Sequence, residues 1–451
     1  LNEKNNKTKY PMMAIISQVI FIAIASFSGF FIFKRISRIR KNIQLGKNLV
    51  IKPDPQRWKN LFLIAFGQKK MFKNWIPAVF HFLIYIGFVL INIEVLEIVL
   101  DGIFGTHRLF APFLGSFYGV VISFFELLAL GVILACIVFL IRRNLLKIAR
   151  FQKPEMKGWP AMDGNLILII EIVLMVAIVS MNAADLVLQN REISGYSVTS
   201  SFLLSGSISF LFENMSDSML ILVERAAWWL HIAGIFAFAY YVTYSKHLHI
   251  FMAFPNTFFG KIQLQGKMDN MDEVTNEVKS MLGLPIDQNI APPGDGFRFG
   301  VKDATDLHWK NLMDAYSCTE CGRCTAECPA NQTGKKLSPR KIMMDTRDRI
   351  EEIGQLHAKG LNINDGKSLL GDYISKEEIN ACTSCNACVE ACPVSINPLD
   401  IILQMRRYVS MEESGSPASW NSMFQNVETN FAPWKFPAQD RFNWADDLKS
   451  K

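Results

Sequence analysis

Over the first 252 residues, long apolar runs alternate with short charged ones. After about residue 256 the pattern becomes the mixed periodicity of a water-soluble domain. The run 11–33 (PMMAIISQVIFIAIASFSGFFIF) carries no charge and is long enough to cross a bilayer, which takes about 20 residues. It exceeds a signal-peptide core and lacks an A-x-A-like exit, so it is expected to persist as a helix. Four further runs of spanning length lie at 76–100, 113–141, 165–189 and 218–245. In the second half, SPRKIMMDTRDRIEEIG predicts a helix with Ser338 as N-cap and Pro339 in its first turn. NPLDIILQMRRYVSME predicts another, and KMDNMDEVTNEVKSML a short amphipathic helix. NIAPPGDGFRFG and LHAKGLNINDGKSLLGDY read as connections. The expected division is a membrane unit at 1–252, a linker at 253–315, a soluble unit at 316–410 and a tail at 411–451.

Composition fits such a fusion. Half of the 451 residues are hydrophobic, including 34 Phe, yet 20% are charged; this is too apolar for an ordinary soluble protein and too charged to lie wholly in lipid. The net charge of +6 sits beside the spans, so no nucleic-acid partner is needed to explain it. Segment 34–75 runs from Lys34, Arg35, Arg38, Arg40 and Lys41 to Lys69, Lys70 and Lys73 against one acid, Asp54. The loop after the third span carries Arg142, Arg143, Lys147, Arg150, Lys153 and Lys157, whereas the loops at the other end hold only Arg108 and Arg191. The positive-inside bias then places the basic loops and the soluble half in the cytoplasm, at a bacterial inner membrane, with the N-terminus outside. Lys4, Lys7 and Lys9 run mildly against that orientation.

Eight of the nine cysteines fall in two runs, CTECGRCTAECP at 318–329 and CTSCNACVEACP at 382–393. Each reads C-x-x-C-x-x-C-x-x-x-C-P, the bacterial ferredoxin spacing, in which the fourth cysteine of one run ligates the cluster of the other. One [4Fe-4S] cluster is therefore expected on Cys318, Cys321, Cys324 and Cys392, and a second on Cys382, Cys385, Cys388 and Cys328. Thiolates two residues apart can converge on one small cube, and Pro329 and Pro393 stop a helix from continuing. Structural zinc favours separated C-x-x-C pairs and disulfides do not persist in a reducing cytosol, so both fit poorly. Cys136, alone in an apolar run, is expected as a packed thiol. The fold class is an all-α membrane bundle of five transmembrane helices followed by a mainly α-helical cytoplasmic domain with two ferredoxin-type [4Fe-4S] clusters.

Polar residues inside spans are costly and mark function. His81 stands early in the second span, His231 early in the fifth, and His247 and His249 at the fifth span's inner end. On one continuous helix His231 and His249 would share a face five turns and about 27 Å apart, with His247 turned away. A haem b between helices takes one axial imidazole from each of two facing helices. By depth His81 pairs with His249, or with His247 in its place. A second haem would fall to His231 and His107, although His231 taken alone reads as a hydrogen-bonded packing residue. Glu94, Glu97, Glu126, Glu171 and Asp185 lie within or at the ends of spans, where carboxyl groups escort protons or bind a quinone. None is assigned. His308, Trp309 and His357 are expected as packing or surface residues, and Trp420, Trp434 and Trp444 as a wrap onto the domain or a docking strip for a partner.

Over FGVKDATDLHWKNLMDAYSCTECGRCTAECPA, GKKLSPRKI, NACTSCNACVEACPVSINPLDII and QNVETNFAPW, the soluble half resembles the small iron–sulfur subunit of heterodisulfide reductases and the iron–sulfur subunit of glycolate oxidase. HFLIYIG and YSKHLHIF in the membrane half resemble the gamma subunit of respiratory nitrate reductase and the cytochrome b subunit of heterodisulfide reductase. The resemblance covers nearly the whole chain. It implies a five-helix haem b anchor exchanging electrons with a quinone pool, the eight cysteines as ligands, and His81, His231 and His249 as candidate haem ligands. Ile91 stands where the nitrate reductase pattern has a second histidine, which weakens a second haem. No adjacent cysteines of a CCG domain occur, so the resemblance implies a separate CCG-type iron–sulfur partner. Larger fused relatives of this layout are thought to pass electrons from electron-transfer flavoprotein to menaquinone, and that role is the first expectation.

The expected protein is thus a quinone-linked oxidoreductase subunit, active with a partner, whose cofactors are two [4Fe-4S] clusters and haem b and whose substrate is menaquinone or another quinone. The same wire run from quinol to a cytoplasmic disulfide is the alternative. A non-redox membrane docking domain with structural clusters is the third reading.

Overall fold

The computed structural model describes residues 2–196, 198–199, 201–264, 266–288 and 298–449, the side chains of 2–14 and 447 excepted. The connection expected at 289–300 falls largely outside these residues, as do the side chains of Lys4, Lys7 and Lys9. Among the described residues five helices are long and apolar enough to cross a membrane. They are α1 (Asn2–Gln44), α2 (Trp75–Phe104), α3 (Phe117–Asn144), α4 (Trp159–Asn190) and α5 (Asp217–Val242). Sequence neighbours pack side by side, α2 on α3, α3 on α4 and α4 on α5, while α1 lies against α2 and α5. In α4, 56% of the most apolar stretch is buried within protein, against 6% in α1, so α4 is the axis and α1 the periphery. The core runs through Ile91, Phe125, Ala129, Val132, Ile178 and Ile232, with Cys136 packed inside it. Phe27, Phe33, Leu127 and Leu134 face outward, as side chains do where lipid rather than water covers them.

Two helix ends depart from the hydrophobic pattern. The first helix does not stop at residue 33, because its charged continuation finds partners in the soluble half. Arg35 donates to both oxygens of Glu351 at 2.9 and 2.8 Å, and Asn42 donates to Tyr316 Oη at 2.9 Å. The fifth helix stops at Val242. Thr243 Oγ1 donates back to Tyr240 O at 2.7 Å, and Ser245 Oγ accepts from the His247 amide, capping a separate turn. A short helix α6 (His249–Phe258) follows and packs against residues 61–66. His231 and His249 therefore stand on different helices, and the five-turn relation expected of them does not hold.

After α7 (Asp272–Met281) the soluble half contains α8 (Trp309–Ser317), α9 (Arg323–Ala326), α10 (Pro339–Ala358), α11 (Ala387–Ala391), α12 (Pro398–Met411) and α13 (Ala418–Asn430). Helix α10 starts where Ser338 Oγ accepts from the Lys341 amide and Pro339 opens the first turn. It continues through His357, beyond the point where a loop was expected. Leu312, Ile342, Ile350, Ile353, Ile401 and Met405 form the core, each fully buried aliphatic side chain contributing about 1.5–3 kcal/mol. Val301, Ala304 and Leu307, from the stretch read as linker, belong to that core, as do Ile39 of α1 and Leu248 of the turn before α6. The boundary expected at 316 thus falls inside a packed unit. Gly354 of α10 permits the close approach of α1, since a Cβ there would collide with the Asn42 side chain.

Candidate metal centre

The two cysteine loops repeat one backbone course. Glu320 and Ser384, each two residues after the first cysteine, have φ of 53° and 55°, and Gly322 and Asn386, each after the second, have φ of 71° and 61°. Left-handed conformations are tolerated by glycine and asparagine but strained for glutamate. At Gly322 a Cβ would also collide with the Arg340 guanidinium. The short helices that follow, α9 and α11, pack on each other and bring the loops face to face.

A pocket between them is lined by Cys318, Cys321 and Cys324 from the first run and by Cys388 and Cys392 from the second, with Met343, Val394 and Ile396 closing it. Cys328 is instead an electrostatic neighbour of Cys382 and Cys388. Each fourth cysteine therefore lies with the opposite run. Burial pushes the Cys318 and Cys388 thiols up to about 12 and Cys392 to about 11, so thiolates here require a cationic centre among them. Backbone amides already point at two sulfurs, Ser384 N at Cys382 Sγ (3.4 Å) and Ile396 N at Cys392 Sγ (3.3 Å). Among the described residues no three His, Cys, Asp or Glu side chains are placed to hold a single metal ion. Thiols spread round a pocket suit a broader multi-iron cluster.

Two cations from the basic segments lie near the first pocket, Arg150 by Cys321 and Lys70 by Cys392, and Arg347 of α10 lies by Cys318. Sequence reasoning used two of these only for orientation. The first pocket consequently faces the bundle, whereas Cys385 of the second group is exposed to solvent. Arg323, from the first loop, is an electrostatic neighbour of His81 in α2.

His81 and His249 are brought together, their ring centroids 6.5 Å apart, with His247 5.4 Å from His249. His81 Nδ1 lies 3.0 Å from Gln68 Oε1, and His249 Nδ1 lies 3.1 Å from Lys246 O. With the proton on Nδ1, each Nε2 carries a free lone pair, the usual state of a ligating imidazole. Burial lowers His249, and burial with the neighbouring His249 and Lys246 holds His247 well below the ordinary value. Gln68 was not singled out in the sequence because nothing local marks it.

His231 donates from Nδ1 to Leu174 O at 2.9 Å. His107 Nε2 is 3.2 Å from Asp185 Oδ1. Asp185 is eleven residues along α4 from Leu174, about 16 Å at 1.5 Å per residue, so His107 and His231 sit at different depths and do not form an axial pair. The far end of the bundle holds a buried polar network instead. Arg108 donates to Asp185 (2.8 Å), Asn182 (2.7 Å) and Tyr118 (3.2 Å), and Tyr118 donates to Glu97 at 2.8 Å. Glu126 accepts the Leu204 and Ser205 amides at 2.9 and 3.1 Å, Glu94 takes Asn182 at 3.4 Å, and Glu171 lies near Cys136. Trp309 Nε1 donates to Leu49 O at 3.0 Å, a packing role as expected, whereas Trp434 and Trp444 stand exposed rather than wrapped.

The chain combines a pair of facing cysteine loops with five apolar helices. A family profile described as a 4Fe-4S dicluster domain matches residues 317–396, the stretch that contains both loops. The chain is 26% identical, over 96% of its length, to a probable iron–sulfur-binding oxidoreductase, FadF, of Bacillus subtilis, and covers 61% of that protein. It is 28% identical over 87% of its length to the EtfAB:quinone oxidoreductase of Syntrophomonas wolfei, covering 54% of it. A probable membrane-anchored ferredoxin of Chromohalobacter salexigens is 31% identical over 37% of this chain and 26% of its own length. Subunits of heterodisulfide reductases from Methanosarcina match over smaller parts. The chain thus spans less than two thirds of the first two relatives. No solved structure matches it.

Proposed function

We propose that this protein is the membrane-bound subunit that passes electrons between a cytoplasmic redox partner and the quinone pool. The observation that carries the reading is the succession of sites: an exposed thiol group, a buried one facing the bundle, and a pair of facing imidazoles beside it. Cys318, Cys321, Cys324 and Cys392 would hold the [4Fe-4S] cluster nearer the bundle, and Cys382, Cys385, Cys388 and Cys328 the one nearer solvent. His81 and His249 would hold haem b, with their Nδ1 atoms already engaged. We assign no second haem to His231, because His107, its candidate partner, lies at a different depth of the bundle. When bound, these groups supply one-electron carriers. The polypeptide fixes their spacing, excludes water and sets Arg150, Arg347 and Lys70 against the negative charge of the thiolates.

Reducing a quinone to a quinol takes two electrons, arriving singly, and two protons. The basic loops support a cytoplasmic position for the soluble half. Similarity to an EtfAB:quinone oxidoreductase supports an electron-transfer flavoprotein as donor and a quinone as acceptor; a CCG-type iron–sulfur partner and menaquinone are proposed on the resemblance of the sequence alone. The matches to heterodisulfide reductase subunits favour, as a second reading, flow from quinol to a cytoplasmic disulfide.

Protein purified anaerobically in mild detergent is expected to hold about eight non-haem irons and a b-type haem. Four irons or fewer would overturn the paired assignment. His81→Ala should abolish the reduced haem band, and an unchanged band removes that ligand. A co-purifying flavoprotein fits the first reading and a disulfide-reducing partner the second.

A further inference from the structure

Lys246 touches both halves of the centre. Its carbonyl accepts from His249 Nδ1 at 3.1 Å, while its ammonium donates to Glu320 Oε2 at 2.7 Å and to Pro160 O at 2.6 Å. Glu320 stands between Cys318 and Cys321 in a left-handed conformation that is strained for a non-glycine residue. Its second oxygen receives Arg347 Nη1 at 2.9 Å, and Asp163 Oδ2 lies 3.7 Å from Lys246 Nζ. Lys246 and Glu320 are only 6% and 4% exposed. Burying such a pair is expensive, and apolar side chains of similar size would join the two elements at less cost. A strained, desolvated ion pair between a cysteine loop and a histidine turn therefore does something that packing alone does not.

We propose that Lys246 and Glu320 form a positioning bridge that fixes His249 against the first cysteine loop and sets the reduction potential of the cluster bound there. The inference rests on the function proposed above. A buried carboxylate beside a cluster disfavours an added electron and lowers its potential, and the Lys246 ammonium offsets that effect. Removing the carboxylate raises the potential; removing the ammonium leaves the carboxylate less compensated and lowers it. Glu320 hydrogen-bonds the Cys318 thiol through its backbone and the Lys246 carbonyl holds His249, so both act through residues that would hold the carriers.

The test is redox titration of the full chain, purified anaerobically, with cluster potentials followed by electron paramagnetic resonance and the haem by absorbance. Glu320→Gln and Lys246→Gln are expected to keep their iron and to shift the first cluster in opposite directions, up and down, with the double variant returning towards the parent. Stopped-flow transfer from reduced cluster to haem should slow about tenfold in either single variant. Shifts of one sign in both variants, or none, overturn the bridge, because a brace without an electrostatic role would produce those results. Should the single variants lose iron, Lys246→Arg, which keeps the charge, is expected to retain both iron and potential; loss of iron there too also overturns it. Parent protein devoid of clusters or haem would instead sink the function on which the inference rests.

Discussion

Cys392 belongs in sequence to the second cysteine run and in space to the pocket of the first. Cys392→Ser is therefore expected to damage the spectroscopic signal of the bundle-facing cluster. Loss confined to the solvent-facing cluster would contradict the crossed arrangement. Gly322 and Asn386 occupy matched left-handed positions but differ in their surroundings, since only Gly322 lies against the Arg340 guanidinium. Gly322→Ala should destabilise the soluble half by about 1–3 kcal/mol and lower bound iron, whereas Asn386→Gly should keep its iron; equal loss in both would show that backbone strain is not what distinguishes the loops. At this scale the sequence was readable where partners are close along the chain, as with the cysteine spacing and the Ser338 cap. Gln68, Arg108 and Lys246 escaped because their partners, His81, Asp185 and Glu320, lie well away along the chain, and no periodicity encodes such a pairing.

Helices α1 to α5 were legible because a span must be uniformly apolar over a fixed length. Their ends were not, since these are set by tertiary partners: Glu351 and Tyr316 draw α1 onward, and Ser245 caps a new turn after α5. The same competition ties the start of α10 to the loop after α3. There Glu155 accepts from Ser338 Oγ and from Arg340 Nη2, both at 2.7 Å. Burial alone would raise Glu155, but these two donors outweigh it and hold the carboxyl below its ordinary 4.5. A depressed carboxyl contributes its stabilisation fully above the unfolded value and loses it as pH falls through the folded one. The protection of amides at the start of α10, relative to their intrinsic exchange at each pH, is thus expected to fall as the pH drops below about 4.5, and Glu155→Gln should show the lowered protection already at neutral pH. Identical protection in parent and variant at pH 7 would refute the contact's importance.

For the molecule as a whole, composition announced two halves, yet the structure has no clean seam between them. A linker was expected at 253–315 because that stretch is polar and contains turn formers, but Val301, Ala304 and Leu307 within it are core residues. Average composition does not reveal a few apolar side chains placed at the right register. Gly354→Leu would wedge α1 away from α10 and should destabilise the join by about 1–3 kcal/mol, read as faster proteolysis of the soluble half with haem absorbance unchanged. Resistance equal to the parent would show that α1 is dispensable there.

Ile39 completes a hydrophobic core whose other members, Leu248 apart, lie beyond residue 300. During synthesis Ile39, set among the charges that end α1, must therefore wait uncovered at the membrane surface until the chain beyond residue 300 has left the ribosome. A chain interrupted before Val301 would leave Ile39 uncovered for cellular proteases to find, and the cysteine set is complete only once Cys392 has emerged.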